Sequence, residues 1–135
     1  MLKLNSARYR SVLTYGRYDT FGPDQIRFLR QLTKLGTDVI VGCGTNRFSA
    51  LCGRPCNRDF GERRAVLESC RFVSKVITQD SFAQIRTDIV NHDICALVIA
   101  PDCAGQFDDL QDIAQILRLE GAEVTLLRNK MSLTG

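Results

Sequence analysis

Histidine is almost missing from this chain: His92 is the only one among its 135 residues. Acid–base chemistry that needs an imidazole would have to use that residue. Long apolar runs are missing too. Nothing approaches the roughly 20 residues of a bilayer span, so no membrane span is expected. The opening stretch Met1–Tyr9 is broken by Lys3, Asn5, Ser6 and Arg8 and lacks the apolar core of a signal peptide. A cytoplasmic protein is the expectation. Nor is there a strong excess of one charge. The 18 basic and 15 acidic residues leave +3, and the basic ones are scattered rather than striped, which argues against nucleic acid as a partner. Internal repeats, linkers and low-complexity segments are not found, which leaves one domain.

The six cysteines do not form a metal pattern. Cys43, Cys70 and Cys95 lie within apolar stretches and read as small core residues. Cys52 and Cys56 share a loop but lack a second pair and a histidine at ligand distance, so zinc is not expected. They read as free loop thiols, with reactivity promoted by nearby Arg54 as the alternative.

What is present is an ordinary globular composition, 44% apolar and 24% charged. A chain of this length buries roughly two-thirds of its unfolded surface. Short β-branched runs alternate with helical segments. Ser11–Tyr15 reads as a first strand, ended by Gly16. Pro23 suits the first turn of a helix, Ile26, Phe28, Leu29, Leu32 and Leu35 supply its buried face, and Gly36 stops it. Asp38–Cys43 is a nearly continuous apolar strand, as expected for a strand covered on both faces. A loop rich in Gly, Pro, Asn and Arg follows from Gly44 to Arg58. A helix from about Phe60 to Arg71 turns Val66, Leu67 and Cys70 inward. Lys75–Thr78 is a third strand, and Ser81 is placed to cap a helix bearing Phe82, Ile85, Ile89 and Val90. Ala96–Ala100 is a fourth strand. Asp109–Glu120 reads as a helix through Leu110, Ile113, Ile116 and Leu117, closed by Gly121, and Glu123–Leu127 is the last strand.

Five strands alternating with helices predict a Rossmann-like α/β domain, a parallel sheet covered on both faces, with the first, second and fourth strands central. Residues 1–9 read as an N-terminal extension and 10–135 as the domain. Ligands in such sheets bind beyond the carboxyl ends of the strands, which directs attention to residues 16–25, 44–58, 101–107 and 128–135.

Along most of its length the sequence resembles a known family. Thr14-Tyr15-Gly16-Arg17-Tyr18-Asp19 is similar to T-Y-G-T-F-D, and Gly44-Thr45-Asn46-Arg47-Phe48 to S-T-D-E-F. Phe60-Gly61-Glu62-Arg63-Arg64, with Arg71-Phe72-Val73, resembles a Y-E-H-R-K helix and its R-Y-V ending. Asp88-Ile89, His92 and Ile94 match D-I-I-x-H-x-I, and Asp102 with Gly105-Gln106-Phe107-Asp108 matches D-W-E-G-K-F-D. These are motifs of the small cytidylyltransferases of the glycerol-3-phosphate type, within the nucleotidyltransferase superfamily. The resemblance covers most of the chain. It implies a homodimer and transfer of CMP from CTP to a phosphorylated acceptor, with Mg²⁺ accompanying the bound triphosphate and pyrophosphate released.

The departures lie where that chemistry is done. The family's H-x-G-H histidines, which contact the phosphates, fall on Gly22 and Gln25, and its intervening glycine on Asp24. Glycine offers no side-chain donor, and glutamine cannot carry charge. The two loop lysines fall on Cys52 and Arg54, and a substrate-phosphate lysine on Ile85. The closing R-T-x-G-I-S-T-T motif survives only as Arg128, Ser132 and Thr134. Each lost donor to a developing charge costs roughly a hundred- to a thousandfold in rate, so the combined loss is on the order of five decades.

The resemblance therefore implies Gly16, Arg17, Tyr18, Asp19, Arg63, Asp102, Arg128, Ser132 and Thr134 as nucleotide contacts. Gln25 and Arg54 are the degenerate stand-ins for catalytic residues. Other readings stay open. Asp19 either positions a ligand or accepts local backbone bonds. Arg63 either reaches a phosphate, as the motif suggests, or pairs with Glu62 or Asp59, and Asp102 also suits an ordinary turn. His92, near a helix end, reads as structural. Three functions follow: a catalytically impaired nucleotide-binding or assembly subunit, an active but altered nucleotidyltransferase, or a structural dimerisation module.

Overall fold

The computed structural model describes residues 9–99, 114–120 and 123–126, the last two strands by their backbone alone. The elements are β1 (Tyr9–Gly16), α1 (Pro23–Leu35), β2 (Gly36–Gly44), α2 (Asn46–Leu51), α3 (Phe60–Ser69), β3 (Lys75–Gln79), α4 (Gln84–Asn91), β4 (Ala96–Ile99), β5 (Gln115–Glu120) and β6 (Glu123–Leu126). They build one sheet in the order β3-β2-β1-β4-β5-β6. All neighbours run parallel except β6, which pairs antiparallel with β5.

Alternation along the strands separates two cores. Val12, Val39, Val41, Ala96 and Val98 face one side, where Leu29 and Leu32 of α1 and Leu67 of α3 close over them. Leu13, Ile40, Leu97 and Ile99 face the other, against Ile85 and Ile89 of α4. Leu29, Leu32 and Leu67 are fully buried, each contributing about 2 kcal/mol of apolar burial. The expected α/β architecture is present, with β1, β2 and β4 interior to the sheet.

Several elements differ from the sequence reading. The sheet has six strands rather than five, because Gln115–Glu120 is a strand and not the end of a helix. Its register pairs Ile116 with Leu97 and Leu117 with Val98. Residues 109–113, the rest of the expected helix, lie outside the described residues, as do Ala100, Gly121 and Leu127. The last strand, β6, closes the sheet antiparallel. The stretch read as a loop from Gly44 contains α2, whose N-cap Thr45 accepts from the Phe48 amide at 3.1 Å. Ser81 does not cap α4. The helix starts later, and Gln84 Oε1 instead accepts the Asp80 and Ser81 amides at 2.6 and 3.1 Å. Of the residues read as inward, Val66, Cys70 and Cys95 are half-buried, while Ile26, Phe82 and Val90 are exposed. In α3 the inward face is Arg63 and Leu67.

No helix among the described residues is long and apolar enough to cross a membrane.

Candidate functional site

The strand order reverses between β1 and β4, so the crevice that such sheets offer to ligands opens beyond their carboxyl ends. On the described side it is bounded by residues 16–22, the start of α1, the tip of β2 and the segment 52–58 that follows α2.

The turn after β1 is built by Gly16 and Tyr18. Tyr18 adopts φ 54°, in the left-handed region. Its ring folds back over Gly16, where a Cβ would lie 2.7 Å from Tyr18 Cε2. The ring packs on the α1 side of the core and lies 6.3 Å from Phe21. Burial holds the phenol protonated far above its ordinary range. Tyr18 thus shapes the turn. Tyr15 is similarly engaged: its hydroxyl donates to Asp88 Oδ2 at 2.7 Å, and burial followed by that contact raises its pKa.

Arg17 and Asp19 both grip the segment 54–58. Arg17 Nη1 donates to the carbonyls of Arg54 and Pro55 at 3.1 and 3.3 Å and lies 3.8 Å from Cys56 Sγ. The Asp19 carboxylate accepts the Asn57 and Arg58 amides at 2.9 and 2.8 Å. Those two backbone bonds hold its carboxyl below the usual range. The segment is in effect a strap sewn to the β1–α1 turn, carrying Arg54 and Arg58 on its exposed surface.

Arg63 sits beneath the strap and is 1% exposed. Its Nε donates to the Arg58 carbonyl at 2.9 Å and its Nη1 to the Arg17 and Gly44 carbonyls at 2.7 and 2.8 Å. Nη2 donates to Asn46 Oδ1 at 2.7 Å, and the guanidinium lies 5.8 Å from the Phe60 ring centre. No carboxylate pairs directly with it among the described residues, although its charge helps lower the pKa of Asp19 and Asp59. Asn46 Nδ2 in turn donates to Asp59 Oδ1 at 3.0 Å, and Asp59 caps α3 through the Gly61 amide at 3.0 Å. A buried charge is tolerable only when it is well hydrogen-bonded, and carbonyl oxygens from four segments accept four of the five guanidinium N–H groups here. Arg63 joins β1, β2, α2 and the strap. Neither Glu62 nor Asp59 takes it as a surface partner.

The start of α1 is self-contained. Gly22 is the N-cap and Pro23 follows at the first helical position. Gln25 Oε1 accepts the Gly22 amide at 2.9 Å, half of a capping box. Asp24 is exposed and ion-paired with Arg27. The side chain expected to replace a catalytic histidine is thus turned back on its own helix.

Among the other residues singled out, Ile85 is 2% exposed, in the α4-side core. His92 caps the far end of α4, its amide donating to the Asp88 carbonyl at 3.0 Å. Cys52 is exposed at the end of α2 and Cys56 is half-buried. Cys43 is buried, which pushes its thiol up to about 11. Asp102, Arg128, Ser132 and Thr134 lie outside the described residues. A cavity of about 380 Å³, lined by Arg64, Glu68, Val73, Ser74, Lys75 and Val76, lies at the amino end of β3, away from the strand tips. Among the described residues no three acidic, cysteine or histidine side chains converge as metal ligands.

Sequence reading names Asn46 only within a motif and Asp59 only as an alternative partner of Arg63, and misses that Asn46 bridges the two. The signal for Asp59 was available, since Asp two residues before a glycine in the first turn of α3 suits an N-cap. Nothing local marked Asn46 as the acceptor for Arg63.

A parallel sheet with its order reversed at β1/β4, covered on both faces and carrying its polar loops at the carboxyl ends, defines a Rossmann-like α/β protein. Comparison with known proteins is more specific. The cytidylyltransferase-like family model matches residues 13–132, and this chain belongs to that family. It is 28% identical over 126 residues to the glycerol-3-phosphate cytidylyltransferase of Bacillus subtilis (strain 168), covering 91% of this chain and 98% of that protein. It is 30% identical over 125 residues to the enzyme of the same name from Staphylococcus aureus (strain NCTC 8325 / PS 47), covering 90% and 95%. Among solved structures, the lipopolysaccharide core biosynthesis protein of Thermoplasma volcanium GSS1 superposes with a TM-score of 0.69. That match covers 82% of this chain and 96% of the other; at 15% identity it speaks to the fold alone.

Proposed function

We propose that this cytidylyltransferase-like protein is catalytically impaired and acts as a nucleotide-binding or assembly subunit for a CTP-like ligand, as a cytoplasmic homodimer. The observation that supports this most is at the start of α1. Gly22 has no side chain to offer, and the Gln25 carbonyl oxygen is spent on the Gly22 amide. One donor to the transferring phosphate is then missing, and the other is replaced by the neutral Nε2 of a side chain anchored to its own helix; a preorganised donor is worth roughly a hundred- to a thousandfold in rate. Ile85 lies in the core and offers no cation to an acceptor phosphate. Mg²⁺ in this reading comes only with a bound triphosphate.

An active but altered nucleotidyltransferase is the second reading. It draws on the strap, whose backbone is fixed by Arg17, Asp19 and Arg63 while it carries Arg54 and Arg58. A thermal-shift series with nucleotides and Mg²⁺, followed by a pyrophosphate assay, separates these readings. Binding without turnover supports the impaired subunit, and turnover supports the altered enzyme. No binding at all leaves a structural dimerisation module. Light scattering at micromolar concentration tests the dimer, and a monomer would remove it.

A further inference from the structure

We infer that α2 and the turn before α4 form a docking surface for a protein partner that presents large apolar side chains on an acidic segment. The inference rests on the assembly half of the function proposed above and gives it a place on the molecule.

Apolar side chains scattered singly over a surface are ordinary, but adjoining ones mark contact sites. Leu51, at the end of α2, is 72% exposed, and Phe82, just before α4, is 49% exposed. Phe48 joins them. It lies three residues before Leu51, on the same face of α2, and its ring meets that of Phe82 edge-on with centroids 5.0 Å apart. The patch is held from behind. The Thr45 hydroxyl accepts the Phe48 amide and donates to Asp80 Oδ1 at 2.8 Å, and the Thr45 amide donates to the Gln79 carbonyl at 3.0 Å. A surface fixed before its partner arrives avoids much of the ordering cost of binding.

Charge names the partner. From Thr45 to Arg58 the chain carries Arg47, Arg54 and Arg58 and no acid. Arg47 stands four residues before Leu51, and its contact with Asp80 is a solvent-exposed one at 3.5 Å, a kind worth little. An apolar centre with a basic rim complements an apolar anchor on an acidic segment. A second copy fits poorly, because a two-fold contact through this surface would bring the arginines of both copies together. Like charge also disfavours the ends of the chain. Residues 1–8 carry Lys3 and Arg8, residues 127–135 carry Arg128 and Lys130, and neither end holds an acid. Recognition of an anionic bilayer draws on about four to eight clustered cations, more than this segment supplies.

Phage display of random dodecapeptides on the full-length protein tests the surface, with enriched peptides then synthesised and titrated by fluorescence anisotropy. They should carry net negative charge together with Leu, Phe or Trp. Leu51→Asp and Phe82→Ser should each weaken them at least about tenfold, as loss of a central anchor does. Arg47→Glu should weaken them about three- to tenfold. Val90→Asp, at an exposed apolar position near the other end of α4, should change nothing. Enriched peptides that are neutral or basic, or that bind Leu51→Asp as tightly as the native protein, overturn the inference, and so does a library that yields none. Three further results on Leu51→Asp would also overturn it. Conversion of a native dimer to a monomer would assign the surface to a second copy. Loss of sedimentation with phosphatidylserine vesicles would assign it to a membrane. A melting temperature several degrees lower would place a segment of this chain on it. Nucleotide titrations are a separate readout, so a failure there and a failure of the peptide selection are told apart.

Discussion

Arg63 donates through Nη1 to the main-chain carbonyl of Arg17 at 2.7 Å, tying the first turn of α3 to the turn after β1. The same nitrogen reaches the Gly44 carbonyl, and the rest of the guanidinium holds Arg58 and Asn46. One side chain thereby fixes every described segment that borders the crevice except α1. The motif that contains Arg63 suggested a phosphate contact, but the side chain is 1% exposed and directs Nε, Nη1 and Nη2 at protein oxygens rather than toward solvent.

Replacing Arg63 should therefore cost stability before it costs binding. Arg63→Ala strands the carbonyls of Arg17, Gly44 and Arg58 and leaves a cavity, and the expected loss is about 3–5 kcal/mol. Urea unfolding followed by circular dichroism measures it. A loss below about 1 kcal/mol would return Arg63 to the role of an exposed ligand contact.

Asp19 makes the strap sensitive to acid. Its carboxyl is held below the unfolded value of about 3.9 by the Asn57 and Arg58 amides. A depressed carboxyl stabilises the fold above the unfolded pKa, and the contribution disappears as pH falls through the folded one. Hydrogen exchange, corrected for intrinsic rates, should show Asn57 and Arg58 protected at pH 5 and progressively released below about 3.9. Asp19→Ala should release both amides already at neutral pH. Unchanged protection in that variant would mean that the strap is held by Arg17 and Arg63 alone.

The thiols should separate by burial. With its thiol pushed up to about 11, Cys43 carries very little of the reactive thiolate at pH 7.5. Cys52 is exposed. Brief alkylation of the native protein, read by mass spectrometry, should label Cys52 and spare Cys43, and denaturation should equalise them. Equal labelling in the native state would contradict the packing described for β2.

Much of this fold was legible because continuous apolar strands such as Val39–Val41 and Leu97–Ile99 have few other places to go than a sheet interior. The failures have physical causes. Ile116, Leu117 and Leu119 form a short apolar run whose spacing fits a helix or a strand equally, and only pairing with β4 decides it. The six residues of α2 are too few to show a period, although Thr45 is a recognisable cap and Gly53, at φ 79°, a recognisable stop. At the site, the loss of both histidines could be read directly at Gly22 and Gln25. The use of Gln25 as a cap was implicit in its position three residues after Gly22. Arg63 was read as a phosphate contact from its motif, and its packing role came from position along the helix instead. Its spacing of four from Leu67 had placed it on the buried face.

The claim that catalysis is impaired is tested most directly by pyrophosphate release from CTP with glycerol-3-phosphate and Mg²⁺. Little or no release is expected from the native protein. Gly22→His with Gln25→His should not bring back family-level rates. That pair breaks the Gln25 cap, and the phosphate-facing cations remain absent at Cys52 and at Ile85, which is buried in the core. Turnover of roughly one per second or faster by the native protein would contradict the account, since that is the ordinary range of enzymes.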